Sequence, residues 1–156
     1  MEVERFLDGL VPSEAALLAE RAAAEGDEQG LREALERDPR QAGAAVALAR
    51  LLLGRGEAQE ALELAEPLAD TDFTAAAGLA ARARLELAGE APGEAFEAWD
   101  DDDHERALEL LEADVASAES DRREELRRVM AALFTELGPE SSLAREHRPR
   151  LAAALN

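Results

Sequence analysis

The sequence predicts an all-α protein built as a solenoid of antiparallel helical hairpins, and three observations lead to this prediction. Hydrophobic residues make up 47% of the 156 residues, alanine and leucine supply most of them, and aromatic residues reach only 3%. No segment alternates apolar and polar residues as a half-buried strand does. Apolar residues instead recur at helical spacing in segments that end at glycine or proline. Such a composition favours helix along the whole chain.

Each predicted helix has a start or stop signal. A short amphipathic piece from Val3 to Leu10 ends at Pro12, after which Ser13 caps a helix that stops at Gly26. The remaining predicted helices cover residues 27–37, 41–54, 57–68, 72–88, 92–99, 102–118, 120–137 and 141–155. We therefore expect a linker or short helix at residues 1–12, a repeat domain at 13–140 and a C-terminal amphipathic helix at 141–156.

Residues 45–73 match the pattern of a tetratricopeptide repeat, in which small residues such as Ala61 let two paired helices approach each other. Pro39 and Phe73 stand at the repeat-closing position and lie 34 residues apart, which is the period of this repeat. Ala107 takes the role of Ala61 in a later turn and second helix, but 46 residues downstream. The sequence thus resembles a tetratricopeptide-like α-solenoid with an irregular third repeat.

The charge is strongly negative and unevenly distributed. The chain has 36 acidic and 17 basic residues, every basic residue is an arginine, and the net charge is −19. Residues 121–156 nevertheless hold seven arginines against six acids. Phosphate binding needs clustered cations, so we expect no nucleic-acid partner. The terminal segment is either a solvated face with helical ion pairs or a surface that faces a partner.

Several classes of chemistry lack their required residues. The absence of cysteine excludes disulfides, thiolate zinc sites and thiol redox chemistry. No apolar run approaches the roughly 18 residues of a membrane span. The first residues lack a basic region followed by an apolar stretch, so we expect no signal peptide. The chain also lacks a glycine-rich loop followed by lysine, and no serine stands in a nucleophile elbow. We expect a cytoplasmic, non-catalytic protein that uses no cofactor and contacts no membrane.

The densest group of potential metal ligands comprises Asp100 to Asp103, His104 and Glu105. The spacing fits several positions of a calcium-binding loop, but Arg106 stands where that loop needs its turn glycine. Four carboxylates before a helix favour its positive N-terminus without any metal, so we expect no metal site. His147 shares a helical stripe with Leu143 and Leu151, which favours a packed imidazole over a catalytic one.

The C-terminal third resembles the end of the bacterial thioredoxin-like co-chaperones, the chaperedoxin family, in which tetratricopeptide repeats follow a thioredoxin domain. The matching motifs are Asp121-Arg122-Arg123, Arg127-Arg128-Val129-Met130, Leu133-Phe134, Leu137-Gly138-Pro139, Leu143-Ala144-Arg145-Glu146 and Arg150-Leu151, with residues 6–13 resembling the linker. The resemblance covers only the repeat half of that family, and His147 and Pro149 stand where its final helix usually carries an aromatic residue and an arginine.

This resemblance implies a co-chaperone or holdase module that binds unfolded clients or docks on a chaperonin. A plain scaffold module in an unrelated assembly is the alternative. The chain has no lysine and only one asparagine, which argues against a clamp for the carboxylate tails of heat-shock chaperones. The candidate partner-binding residues are the aromatic residues Phe96 and Trp99, together with Arg145, Arg148, Arg150, Leu151 and Leu155 of the final helix. That helix either caps its own solenoid or lies in a partner's groove. We expect Pro149 to kink or split it, so that residues from Pro149 onward contribute more to partner binding than to folding.

Overall fold

The structure is a computed structural model that describes residues 13–70 and 73–155. Within these residues the chain forms nine helices and no strand. They are α1 (Glu14–Glu25), α2 (Glu28–Arg37), α3 (Ala42–Gly54), α4 (Ala58–Ala69), α5 (Thr74–Leu87), α6 (Gly93–Asp100), α7 (His104–Ser117), α8 (Ser120–Leu137) and α9 (Ser142–Leu155). The all-α prediction is confirmed. The short helix predicted at residues 3–10 lies outside the described residues.

Side-chain caps fix several of these helix starts. Ser13 Oγ accepts a hydrogen bond from the Ala16 amide at 3.1 Å, as the sequence predicts. Ser141 Oγ accepts one from the Ala144 amide at 3.2 Å, so it is Ser141 that caps α9. Glu119, in extended conformation, is the N-cap residue of α8 and makes no side-chain cap bond.

One type of turn closes four of the described helices. Gly26, Gly56, Gly89 and Asp102 have positive φ values of 65°, 80°, 73° and 61°. In each turn the following amide donates to the carbonyl oxygen five residues earlier, at 2.8–2.9 Å, which is the pattern of a left-handed helix cap. Asp102 is the one non-glycine residue with a positive φ in the described part of the chain.

The helices pack in a solenoid-like order. Each of the helices from α1 to α4 packs on the next one, and α3 also packs on α1 and α5. The short helix α6 pairs with α7, whereas α8 packs along α5 and contacts it closely at Gly78. The eight residues of α6 lie between α5 and α7, which accounts for the long spacing from Ala61 to Ala107.

The core consists mainly of alanine and leucine side chains from these helices. Ala61 and Ala107 are both fully buried. Small side chains allow the helix axes to approach, so the alanine content is used for close packing. No helix in the described part of the chain has the length and apolar character that crossing a bilayer requires.

The last helix, α9, packs on α7 and α8. Ala144 and His147 are buried there, and the half-buried Leu151 and Leu155 rest against the core. The prediction that Pro149 splits this helix is wrong, because α9 continues through Pro149 to Leu155. Its packing on two neighbouring helices compensates for the backbone donor that proline lacks.

Candidate functional site

A groove with a volume of about 340 Å³ opens between α1, α3, α5 and α8. It is mostly apolar, with Arg50, Thr135 and Glu136 as its polar members. The other lining residues are Ala23, Leu31, Gly43, Val46, Ala47, Leu51, Ala75, Leu79, Trp99 and Ala132. Because α3 packs on both α1 and α5, the groove follows one face of the solenoid. An open apolar groove of this kind can receive side chains of another molecule.

Arg50 connects the groove wall to α6. Its guanidinium lies over the Trp99 ring, with 4.4 Å between the guanidinium carbon and the ring centroid. It donates to Asp100 Oδ1 at 2.7 Å and to the Trp99 carbonyl at 3.2 Å. Its Nε donates to Glu136 Oε1 at 3.3 Å. A cation over an indole ring, held by two carboxylates, orders both side chains at the groove.

The carboxylate of Glu136 lies close to three side chains beside the groove. Trp99 Nε1 donates a hydrogen bond to Glu136 Oε2 at 2.5 Å, and Arg50 reaches the other carboxylate oxygen. His104 Nε2 lies 3.4 Å from Oε2 but makes no hydrogen bond with it. Glu136 still keeps 39% of its side chain exposed beside the groove.

Behind this wall, Arg82 is an almost fully buried arginine with carboxylate partners. It donates to both oxygens of Asp100, at 2.9 Å and 2.8 Å, and to Glu86 at 3.2 Å. Its guanidinium also lies 4.7 Å from the Phe96 ring centroid. Burial alone would raise the pKa of Asp100, but hydrogen bonding to Arg82 and the charges of Arg82 and Arg50 lower it. Asp100 therefore joins α6 to both α3 and α5.

The structure separates the two aromatic candidates that the sequence grouped. Phe96 and Trp99 pack edge to face, with 6.5 Å between ring centroids and 61° between planes. Both are buried, but Trp99 lines the groove whereas Phe96 does not. Phe96 therefore supports the α6 position, and Trp99 is the aromatic side chain placed at the groove.

The five candidates on α9 divide in the same way. Arg145, Arg148 and Arg150 are exposed, and Arg148 lies over the Phe134 ring at 5.5 Å from its centroid. Leu151 and Leu155 instead face the core of their own chain and are half-buried. This packing favours the cap interpretation for the two leucines. None of the five lines the groove.

His147 is fully buried, as expected for a packed position, and contacts α7. Its Nδ1 lies 2.6 Å from Glu112 Oε1, and its buried Nε2 has no hydrogen-bond partner among the described residues. In the acidic segment, Asp103 caps α7 through the Arg106 amide at 3.3 Å. In residues 13–70 and 73–155 no three acidic or histidine side chains converge in a way that could hold a metal ion.

Arg50, Glu136 and Arg82 were not predicted as site residues. They lie on three different helices and come together only in the folded chain, so no local sequence motif indicates them. The one signal was Arg50 itself, a single cation in the apolar segment from Val46 to Leu53. No protein-family model, curated protein or solved structure matches the chain.

Proposed function

We propose that this chain is a non-catalytic protein-binding module and that the groove receives an apolar segment of a partner polypeptide. The observation that carries the proposal is the apolar groove shared by α1, α3, α5 and α8, with Trp99 in its wall. The charged groups beside it, Arg50 and Glu136, are engaged with each other and with Trp99. This arrangement supports recognition by burial of apolar surface rather than proton transfer or nucleophilic attack.

The resemblance of the C-terminal third to the chaperedoxin family supports a co-chaperone or holdase role. In that role the groove holds exposed apolar segments of unfolded clients, or the module docks on a chaperonin. The buried alanines of the α3–α4 hairpin support the tetratricopeptide-like interpretation of the repeat. A cytoplasmic location, with neither nucleic acid nor membrane as partner, fits the same proposal.

The groove assignment is testable with a steric block and a matched control. Ala47→Phe places a ring in the groove, whereas Ala116→Phe places the same ring on the exposed face of α7. A chemically denatured client protein is diluted into buffer with each variant, and aggregation is followed by light scattering. We expect the wild type and Ala116→Phe to suppress aggregation, and Ala47→Phe to lose most of that suppression.

A second measurement separates the co-chaperone role from the scaffold alternative. Purified chaperonin is immobilised, and retention of the wild type and both variants is measured. Unimpaired suppression by Ala47→Phe would place client binding outside the groove. If the wild type neither suppresses aggregation nor binds the chaperonin, the co-chaperone proposal fails and the scaffold alternative takes its place.

A further inference from the structure

The arginines of this chain are almost all neutralised within the fold. Apart from Arg21, Arg123 and Arg148, every arginine in the described residues has a carboxylate oxygen within 4.0 Å. Acidic residues outnumber basic ones by 36 to 17 over the whole chain, so the unpaired charge at the surface is predominantly negative. A field of this sign attracts cationic partners and repels anionic ones.

The edge of the groove also carries negative charge. Its one lining cation, Arg50, lies between Asp100 and Glu136. The side chain of Glu136 is 39% exposed, and the exposed Glu20 stands three residues before Ala23 on the same face of α1. The groove is therefore an apolar surface bordered by carboxylates, and no unpaired cation stands among its lining residues.

The backbone of an occupant has to satisfy its own hydrogen bonds. The helices that form the groove use their amides and carbonyls internally, and the side chains that face it are mostly alanine, valine and leucine. An extended segment laid in such a groove would bury unpaired amide and carbonyl groups, whereas a helix bonds its own. A volume of about 340 Å³ accommodates a few side chains rather than a whole helix. Anchors at helical spacing on one face of a helix fit both conditions.

We propose that the groove binds a cationic amphipathic helix of a partner protein, an inference that rests on the proposed function of the groove. Its apolar anchors pack on the partly exposed Val46, Ala47 and Leu51, and a lysine or arginine beside them pairs with Glu136, whose side chain is 39% exposed. The buried Trp99 indole, held by Glu136 and Arg50, lies beneath these residues, where its fluorescence is sensitive to what enters the groove.

The test uses two synthetic helical peptides with identical apolar positions at i, i+3, i+4 and i+7. One peptide carries lysine at its polar positions and the other carries glutamate. Trp99 is the only tryptophan of the chain, so its fluorescence reports occupancy of the groove, and calorimetry gives an independent Kd. We expect the lysine peptide to bind at least about tenfold more tightly at low salt, with the advantage shrinking as salt increases.

Two single-charge variants locate the contact. Glu136→Gln should weaken binding of the lysine peptide about three- to tenfold, while a glutamine can still accept the Trp99 hydrogen bond. Glu109→Gln removes the same charge from an exposed position of α7 that does not line the groove, and should leave the Kd within about twofold. Equal losses in both variants would overturn the assignment of the cation to Glu136.

The outcomes separate this inference from the proposed function. Equal affinity for the lysine and glutamate peptides, abolished in both cases by Ala47→Phe, would overturn the cationic preference and leave the groove as a binding site. Absence of binding by either peptide, together with unimpaired suppression of aggregation by Ala47→Phe, would overturn the groove function itself.

Discussion

Gly78 of α5 lies so close to Ala132 of α8 that a Cβ atom on Gly78 would stand 2.1 Å from the Ala132 Cβ. The same atom would stand 2.6 Å from the carbonyl oxygen of Arg128. Such distances are far below van der Waals contact, and one of the two obstacles is backbone that cannot rotate away. The approach of α5 to α8, which together supply five of the groove-lining residues, therefore depends on glycine at position 78.

Gly78→Ala should destabilise the protein even though alanine is the better helix former. Overpacking between α5 and α8 should lower the free energy of unfolding by about 1–3 kcal/mol. The better helix propensity of alanine should raise it by about 1 kcal/mol, and because the added Cβ would meet backbone we expect the overpacking cost to be the larger. Gly43→Ala is the control, because it lies in α3 with no atom within 4 Å of the added methyl group. Urea unfolding should show a lower free energy for Gly78→Ala and an equal or higher one for Gly43→Ala. Equal behaviour of the two variants would contradict the close contact.

Asp102 occupies the turn position that glycine holds at Gly26, Gly56 and Gly89. A left-handed conformation is unfavourable for a residue with a Cβ, although aspartate tolerates it better than most. Asp102→Gly should therefore raise the free energy of unfolding by about 0.5–1 kcal/mol. The neighbouring Asp101 has a φ of −87°, so Asp101→Gly should lower it by a similar amount. Thermal melts of both variants measure the difference, and a stabilised Asp101→Gly variant would refute the explanation.

The ion pair between Asp100 and Arg82 should make stability depend on pH. The pKa of Asp100 is lowered below its ordinary 3.8, so its contribution is complete above about pH 4. That contribution is lost as the pH falls through the folded pKa, because protonation is easier in the unfolded chain. Asp100→Asn leaves the buried Arg82 with Glu86 as its one remaining carboxylate partner and should cost about 2–3 kcal/mol near pH 7.

The measurement is the difference in free energy of unfolding between the wild type and Asp100→Asn from near pH 7 to about pH 3. We expect this difference to shrink on acidification. Arginines also lower the pKa values of Glu28, Glu60 and Glu124, so the wild type and the variant both lose further stability in acid. That shared loss cancels in the difference between them. Asp101→Asn, an exposed neighbour, is the control. A difference that stays constant with pH would show that the charge of Asp100 is not what holds Arg82.

The boundaries of the helices were predictable because their signals are local. Ser13 caps the start of a helix, and Gly26 and Gly56 stand where helices end. The preference of serine and glycine for these positions depends only on residues within one helical turn, so it holds in almost any fold. The pairing of α5 with α8 was not predictable, since its only mark is one glycine within a run of alanines. The long spacing to Ala107 indicated an irregular repeat but did not show that an additional helix, α6, causes it.

The site was predicted in part for the same reason. Trp99 was recognisable as a lone tryptophan beside a break, and the structure places it in the groove wall. Its partners Arg50 and Glu136 lie 49 and 37 residues away in the chain, and nothing in their neighbouring residues distinguishes them from ordinary surface charges. The leucines of α9 were ambiguous because the same amphipathic stripe serves a cap and a docking helix.

Truncation after Arg148 separates those two uses of α9. Leu151 and Leu155 are half-buried against the core, so their removal should cost about 2 kcal/mol of stability and lower the melting temperature. The sequence alone suggested instead that residues from Pro149 onward serve binding more than folding. Arg145, Arg148 and Arg150 are exposed, so replacing all three by glutamine should leave the free energy of unfolding within about 1 kcal/mol.

Melting and retention on immobilised chaperonin should therefore be measured on the same samples of the truncated and the glutamine variants. If α9 is a cap that presents its arginines, the truncated chain loses stability, and the glutamine variant keeps its stability but loses chaperonin retention. An unchanged melting temperature after truncation would show that the packing of Leu151 and Leu155 contributes nothing, and would restore docking as the role of the final turns. Retention of the glutamine variant at the wild-type level would remove the arginines from any partner contact, because their exposed guanidinium groups are the only feature of α9 that this substitution changes.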